Sequence, residues 1–246
     1  MLTVVVWKWK TPDHWKRDAR AFTGEHVNTM HRMFKRHYHK PFRFVCITDD
    51  IVGIDREVAT HPLWDDYADL KNPNGNFLSN YRRLKIFSKE MGKVFGPRIL
   101  SLDLDTVIVD DITELLNRPE PFVGIRLHRR NEQNRPWRIA TYGGAMYLMD
   151  AGAFPEVWDD FDPNTSPAFT YAKRYIGSDQ AWMSYKLRKH HPVWTTADGV
   201  LSFQNDAETV CQDVLPDSAR IIHFHGVPKP WDLEAQQYKW VRENWR

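Results

Sequence analysis

Two aspartates stand one residue apart inside an apolar stretch of the chain. The stretch runs from residue 98 to residue 110 and carries Asp103-Leu104-Asp105 near its middle. We expect a strand over residues 98–105, and alternation along it would place both carboxylates on one face, roughly 6–7 Å apart. Two like charges on a buried strand are costly unless a cation neutralises them, so the spacing predicts a divalent metal site. A solvated sheet edge with incidental acids is the alternative.

A second group of reactive side chains lies in the segment from Ile221 to Trp231. Strand alternation would put His223 and His225 on one face, and an imidazole beside two carboxylates completes an N/O coordination sphere suited to Mn²⁺. Gly226 lets backbone N–H groups approach a ligand closely. Lys229, held between two prolines, offers a point charge suited to a phosphate. The alternative is a strand-to-helix turn with exposed histidines.

Strands and helices alternate around these residues. Hydrophobic periodicity predicts strands over residues 2–7, 42–48, 98–105, 122–125, 145–149 and 220–225. It predicts helices over residues 25–38, 78–91, 179–187 and 233–245, with loops over 60–77 and over the arginine-rich segment 126–138. This order indicates an α/β fold with a mostly parallel central sheet and helices on both faces. Ligands of such sheets bind beyond the carboxyl ends of the strands, where Asp49-Asp50 and Asp103–Asp105 lie.

Composition narrows the class of protein without naming its function. The length of 246 residues fits a single domain, and a net charge of +2 argues neither for nor against a polyanionic partner. No apolar run approaches the roughly 20 residues of a membrane span, and no signal peptide is visible. Cys46 and Cys211 are too few for a disulfide framework, so we expect a cytoplasmic protein.

In combination, the two motifs resemble those of GT-A-fold glycosyltransferases. The similarity is closest to glycosyltransferase family 8, which includes glycogenin and the bacterial lipopolysaccharide galactosyltransferases. It follows the chain in order through the first strand, Arg83-Leu84, Asp103–Asp105, Gly143–Met146, Asp179-Gln180 and the segment from His223 to Trp231. The resemblance implies a GT-A, Rossmann-like nucleotide-diphospho-sugar transferase fold over one domain, residues 1–246.

The resemblance also implies a metal-dependent transfer of a sugar from a nucleotide-diphosphate sugar to an acceptor. The family's metal ligands, which hold Mn²⁺ or Mg²⁺ against the diphosphate, correspond to Asp103, Asp105 and His223, with His225 as the alternative. Gly226 and Lys229 would bind the terminal phosphate of the leaving diphosphate. Family 8 enzymes retain the anomeric configuration, and we expect the same outcome here.

Further positions correspond to family residues around the donor. Arg83 matches a basic residue near the donor. Trp7 ends the first predicted strand, and the family binds the donor at the end of that strand. Asp179 and Gln180 match the family's Asp-Gln pair, which faces the reactive carbon of the sugar, and we take them as the catalytic pair. Ser178 or Asp179 could instead serve as a helix N-cap, a role compatible with sugar binding.

The chain departs from the family at two places. The stretch Val6–Lys10 lacks the acidic or amide residue that usually contacts the base, so we expect stacking and lysine contacts there, with UDP as the family default. Tyr142-Gly143-Gly144 replaces the family's Asn-Ser-Gly segment, which leaves the donor sugar open.

Other functions fit parts of the pattern. The chain could be a non-catalytic nucleotide-sugar or carbohydrate-binding protein on the same fold. Asp103-Leu104-Asp105 also loosely matches a haloacid-dehalogenase-type phosphatase, whose first aspartate is a nucleophile. The acceptor could be a glycan, a protein or a nucleic acid, because residues 30–43 carry a run of basic side chains. A solvated helix face is the interpretation that we favour for this run, because the net charge of the chain is close to neutral.

Overall fold

The computed structural model describes residues 1–10, 22–73, 75, 79–126, 142–175, 177–188 and 190–246. Its strands are β1 Leu2–Lys8, β2 Phe42–Thr48, β3 Ala59–Pro62, β4 Arg98–Leu102, β5 Thr106–Ile108, β6 Phe122–Arg126, β7 Tyr142–Asp150, β8 Val193–Trp194, β9 Val200–Ser202 and β10 Ile221–His223. Its α-helices are α1 Gly24–His37, α2 Met91–Phe95, α3 Glu156–Asp159, α4 Ser166–Ala172, α5 Asp179–Leu187, α6 Ala207–Val210, α7 Leu233–Gln236 and α8 Lys239–Asn244.

The strands form two sheets. The larger sheet has seven strands in the order β3-β2-β1-β4-β7-β6-β8, and the smaller has the order β5-β10-β9. Strand β2 runs parallel to β3, with Val45 opposite Ala59, whereas β6 and β7 are antiparallel and carry an irregularity at Gly124/Ile125. The predicted class, an α/β fold with a mostly parallel central sheet flanked by helices, is confirmed.

The chain divides into two compact units. The first consists of Met1–Thr3, Trp64–Leu100 and Glu120–Val193, and the second of Val4–Leu63, Ser101–Pro119 and Trp194–Arg246. The expectation of one domain over residues 1–246 stays a prediction.

The core of the second unit follows from its hydrophobic patterns. Strand β1 is buried along its whole length, and its continuous apolar run from Val4 to Trp7 is typical of a strand covered on both faces of a parallel sheet. Helix α1 buries an apolar stripe at helical spacing, consisting of Val27, Met30, Met33 and Phe34. The Phe34 ring lies edge-on to Phe42 at 4.8 Å, so α1 packs against the start of β2.

In the first unit, the helix predicted over residues 78–91 is wrong in type and extent. The chain forms a 3₁₀ helix over Tyr81–Phe87, and α2 then includes Gly92 instead of ending before it. The apolar positions Tyr81, Leu84 and Phe87 are three residues apart, and the 3₁₀ helix has three residues per turn. The hydrophobic pattern therefore identified the buried face correctly but predicted an α-helix where the chain forms a 3₁₀ helix.

Three other predictions need correction or fall outside the described residues. The helix predicted over 233–245 is divided into α7 and α8, because Tyr238 has extended backbone angles. The loop predicted over 60–77 begins within strand β3. The arginine-rich loop 126–138 lies outside the described residues from 127 onward. In the ranges given above, no helix is long and apolar enough to cross a membrane.

Candidate functional site

The Asp103-Leu104-Asp105 segment lies in a bend that connects β4 of the larger sheet to β5 of the smaller sheet. Strand β4 ends at Leu102, three residues earlier than expected, and the chain enters β5 at Thr106. Leu104 is buried, whereas Asp103 and Asp105 are both partly exposed. The bend explains how an apolar residue and two acids can follow one another here. Leu104 packs into the core, while the two carboxylates, which carry like charges, keep access to water or a cation. Strand alternation therefore does not describe how the two carboxylates are oriented.

The smaller sheet brings His223 beside this segment. Strand β10 runs antiparallel to β5 and pairs His223 with Thr106, and the Phe224 N–H donates to the Asp105 carbonyl at 2.9 Å. His223 is buried, and its Nδ1 lies 3.0 Å from Thr106 Oγ1. The structure thus places His223 opposite the residue that follows Asp105, and its predicted role as a metal ligand stays a prediction.

His225 has different surroundings from His223. Strand β10 ends at His223, so the expectation that both imidazoles share a strand face is wrong. His225 is exposed, its Nε2 lies 2.8 Å from Ser202 Oγ and 2.7 Å from Asn205 Nδ2, and its N–H donates to Gln204 Oε1. The side-chain partners of His225 belong to β9 and the turn after it, whereas the His223 imidazole lies beside Thr106 of β5.

Lys229 is bonded to Asp105. Its ammonium donates to Asp105 Oδ2, with the two side chains only 6% and 15% exposed, and its backbone N–H donates to Asp232 Oδ2 at 2.7 Å. The sequence predicts a phosphate ligand at Lys229, and local patterns do not predict its pairing with Asp105, because the partners are 124 positions apart in the chain. The second aspartate of the motif thus already carries a cation supplied by the chain.

The donor atoms in this region suit a divalent metal by their chemistry. Carboxylate oxygens and an imidazole nitrogen are ligands that Mn²⁺ accepts, and the Lys229 contact shows that Asp105 accommodates positive charge. Among the residues that the structure describes, no group of three His, Cys, Asp or Glu side chains is placed to hold a metal ion. The Lys229 ammonium contacts Asp105 Oδ2, so a metal held by Asp105 would share this carboxylate with the ammonium.

Gly226 has a backbone conformation that favours glycine. Its φ is +79°, in the left-handed region, and an added Cβ would meet no heavy atom within 4 Å. Conformation, not lack of space, is therefore the reason for glycine at this turn.

The carboxyl end of β1 carries two buried side chains. Trp7 is 4% exposed and donates from Nε1 to Ser101 Oγ at 2.9 Å. Lys8 is 2% exposed and donates to Asp50 Oδ2 at 2.7 Å and to the Asp50 carbonyl at 2.6 Å. The lysine contact expected with a base is not accessible at Lys8. The sequence signal that could have indicated this pair is a lysine at the end of the first strand, Lys8, and an acid just after the second strand, Asp50.

The residues predicted around the sugar form a second cluster, within the first unit. Arg83 is buried on the 3₁₀ helix, donates from Nη2 to the Gly144 carbonyl at 2.9 Å, and has Nε 3.7 Å from Asp179 Oδ2. The Gly144 N–H donates to Gln180 Oε1 at 3.1 Å. Arg83 and the pair Asp179-Gln180, which lie far apart in sequence, thus converge near Gly144, close to the start of β7.

Helix α5 begins as predicted, without a side-chain cap. Ser178 is the N-cap residue but makes no capping hydrogen bond; its Oγ accepts from the Asn80 N–H at 3.1 Å. The carboxylate of Asp179 faces Arg83, so this side chain pairs with a cation instead of serving as the predicted helix cap. Burial, together with the charge of Asp179, raises the pKa of the Tyr81 hydroxyl.

The basic side chains of residues 30–43 lie beside acids. Arg32 pairs with Glu25, Lys35 approaches Glu57 at 3.4 Å, and Lys40 approaches Glu114 at 3.5 Å. These exposed pairs are those of a solvated helix face, and they favour that interpretation over a nucleic-acid surface.

Comparisons with known proteins place the fold. No protein-family model matches the chain, and no curated protein matches it by sequence. Solved structures do. A crystal structure of the galactosyltransferase LgtC with donor and acceptor sugar analogues has 13% identity and a TM-score of 0.67, over 98% of this chain and 93% of LgtC.

Two further glycosyltransferases align over nearly the whole chain. GlyE of Streptococcus pneumoniae TIGR4 has 13% identity and a TM-score of 0.56, over 100% of this chain and 62% of GlyE. The bifunctional WbbM has 14% identity and a TM-score of 0.57, over 99% of this chain and 49% of WbbM. The GT-A fold expected from the resemblance to glycosyltransferase family 8 is therefore confirmed as the fold of this chain.

Proposed function

We propose that this protein is a glycosyltransferase that moves a sugar from a nucleotide-diphosphate sugar to an acceptor. The observation that carries the proposal is the convergence of Asp105, His223 and Lys229 where β5 pairs with β10, on a GT-A fold. Acidic, imidazole and ammonium groups at one place are the set that a charged diphosphate and its counter-cation need.

Breaking a glycosyl–phosphate bond places negative charge on the leaving diphosphate. Lys229 supplies an ammonium for this charge, and it is already held at the motif by its bond to Asp105. We assign Asp103, Asp105 and His223 to Mn²⁺ or Mg²⁺; to hold the ion together these side chains would have to rearrange, and the ion would supply Lewis-acid stabilisation of the same charge. Gly226, an exposed residue three positions before Lys229 in the chain, would offer its backbone N–H to a phosphate oxygen.

The sugar carbon becomes positively charged as the bond breaks, and a nearby carboxylate or amide oxygen stabilises it. We assign this role to Asp179 and Gln180. Arg83 holds the Asp179 carboxylate, and the Gly144 N–H holds the Gln180 amide oxygen, so both groups are oriented before substrate binds. One of the solved LgtC structures is of an active-site mutant in which glutamine is replaced by glutamate, which supports a glutamine role of this kind.

The finer parts of the proposal come from the family resemblance. We propose a UDP-sugar donor, retention of the anomeric configuration and a glycan or protein acceptor. We assign Trp7 to donor binding because it lies near the carboxyl end of β1, where its indole N–H donates to Ser101 Oγ. We also propose a cytoplasmic setting, because Cys46 and Cys211 are both thiols outside any disulfide.

The test begins with binding and proceeds to turnover. Nucleoside diphosphates and sugar nucleotides are screened with Mn²⁺ by thermal shift, because a ligand of the native state raises the melting temperature. Release of nucleoside diphosphate from sugar nucleotides is then measured for the wild type and for Asp103→Asn, Asp105→Asn and Gln180→Ala. Asp213→Asn, at an exposed acid of the second unit, is the matched control.

We expect all three site variants to lose most turnover and the control to keep it. Binding without turnover by the wild type would instead favour a non-catalytic nucleotide-sugar-binding protein. Release of phosphate from simple monoesters would favour the phosphatase, which the GT-A fold already disfavours. Full turnover in Asp103→Asn or Asp105→Asn would refute the role of the motif.

A further inference from the structure

A buried lysine fixes an aspartate at the edge of the larger sheet. Lys8 ends β1, Asp50 follows the end of β2, and β1 and β2 are neighbours in the sheet. Their side chains meet at 2.7 Å, so the carboxyl ends of both strands lie at the same edge. That edge is where open α/β sheets bind nucleotides, and the Val6–Lys10 stretch there lacks the acid or amide expected to contact a base.

The two partners differ in what a ligand can touch. Lys8 is 2% exposed, which excludes it as a direct contact, whereas the Asp50 side chain is 28% exposed. An ammonium buried to this degree is costly without a partner, and Asp50 supplies two acceptors for it. Lys8 is therefore a positioning residue for Asp50.

The Asp50 carboxylate is held from several directions. Oδ2 accepts from Lys8, and Oδ1 accepts from the Val52 N–H at 3.2 Å. Thr48 Oγ1 accepts from the Asp50 N–H at 3.0 Å and donates to its carbonyl at 2.9 Å. The bond from Lys8 also lowers the pKa of Asp50, so the group is a carboxylate at neutral pH. The result is a charged acceptor with a fixed direction and an open side.

We infer that Asp50, oriented by Lys8, selects donor nucleotides whose base presents a ring N–H. This inference rests on the proposed function and names its substrate class. A carboxylate only accepts hydrogen bonds, so it pairs with the ring N–H of uracil or guanine. At that position cytosine and adenine present a ring-nitrogen lone pair, which a carboxylate fixed opposite it repels, so only their exocyclic amino groups can donate to Asp50. An acid at the end of β2 thus takes over base recognition where β1 ends in lysine.

The experiment measures the affinities of UDP, GDP, CDP and ADP by titration calorimetry at one fixed Mn²⁺ concentration. For the wild type we expect UDP or GDP to bind about tenfold more tightly than CDP and ADP, the size of one good base contact. In Asp50→Asn, whose amide also donates, we expect the preference to fall by most of that factor, with CDP gaining. Asp55→Asn, at an exposed acid of the same unit, is the control and should keep the preference.

Lys8 is tested by comparing Lys8→Met, which keeps the Asp50 carboxylate but removes the cation that orients it, with the double variant Lys8→Met/Asp50→Asn, which leaves no unpaired buried charge. The readout is the ratio of the four affinities, because a loss of stability alone does not move that ratio. Lys8→Met should lose most of the preference although Asp50 is present, and a preference kept in Lys8→Met would refute the positioning role. Equal binding of all four bases by the wild type, or an unchanged ratio in Asp50→Asn, would overturn the inference while leaving the proposed function intact. Failure of all four to bind would overturn both.

Discussion

The ion pair between Lys229 and Asp105 makes a quantitative prediction about stability. Changing Lys229 to Met leaves the Asp105 carboxylate, only 15% exposed, without its cation. Removing one partner of a buried pair costs about 3–5 kcal/mol, and the residual exposure of Asp105 places this case near about 3 kcal/mol. That cost raises the unfolding equilibrium constant about 100-fold, since each 1.4 kcal/mol is about tenfold.

Chemical denaturation of four proteins measures the effect: wild type, Lys229→Met, Asp105→Asn and the double variant. Because the double variant removes both charges, it should recover most of the loss, with a coupling energy of about 2 kcal/mol or more. The matched control is the exposed pair Lys239–Glu243, with side chains 66% and 58% exposed, where the coupling should be about 0.3–0.5 kcal/mol. Equal coupling at the two pairs would refute the argument that burial makes the Lys229 bond strong.

Three further predictions follow from individual residues. Lys229→Met should bind Mn²⁺ more tightly than the wild type without nucleotide, measured by magnetic resonance of the free ion, because the Asp105 carboxylate no longer has a positive charge beside it that repels the metal ion. Gly226→Ala should cost about 1 kcal/mol from its φ of +79° alone, whereas Gly199→Ala should cost more in thermal melts, because its Cβ would lie 2.0 Å from a backbone oxygen. Burial lowers the pKa of His26 from 6.5 to about 4, and its Nδ1 accepts from the Thr23 N–H, so the unfolded chain binds more protons. Stability should therefore fall as pH drops from 6.5 towards 4, and His26→Gln should flatten that fall; an equal slope in the variant would contradict it.

Lys8 and Lys229 share a feature that bears on how this fold manages charge. Each is nearly buried, and each is bonded to an aspartate at the end of a strand. Both aspartates remain partly exposed, so the lysines hold the carboxylates in place while leaving them accessible. Preorganised charges of this kind bind a charged ligand without the cost of ordering side chains.

Local patterns in the chain determined several elements correctly. The strand over residues 42–48 and the helix over residues 179–187 have the predicted bounds, because their apolar residues recur at the period of each element. The presence of an aspartate segment followed by a distant histidine and lysine was sufficient to suggest the fold, which the comparison with LgtC confirms.

Other features depended on tertiary structure. The end of β4 at Leu102 could not be predicted from the sequence, because alternating Leu and Asp residues are compatible with a strand as well as with a bend. The separate surroundings of His223 and His225 depend on where β10 ends against β5 and β9.

Charge pairing shows most clearly what the sequence by itself determined and what it did not. Residue types and spacing identified Asp103, Asp105, His223 and Lys229 as the chemical groups, since those depend only on the side chains present. That Lys229 bonds to Asp105 was decided by folding, which brings together residues 124 positions apart. Hydrophobic periodicity is a relation between neighbours along the chain, whereas the partner of a buried charge is whichever group the packed strands place within reach.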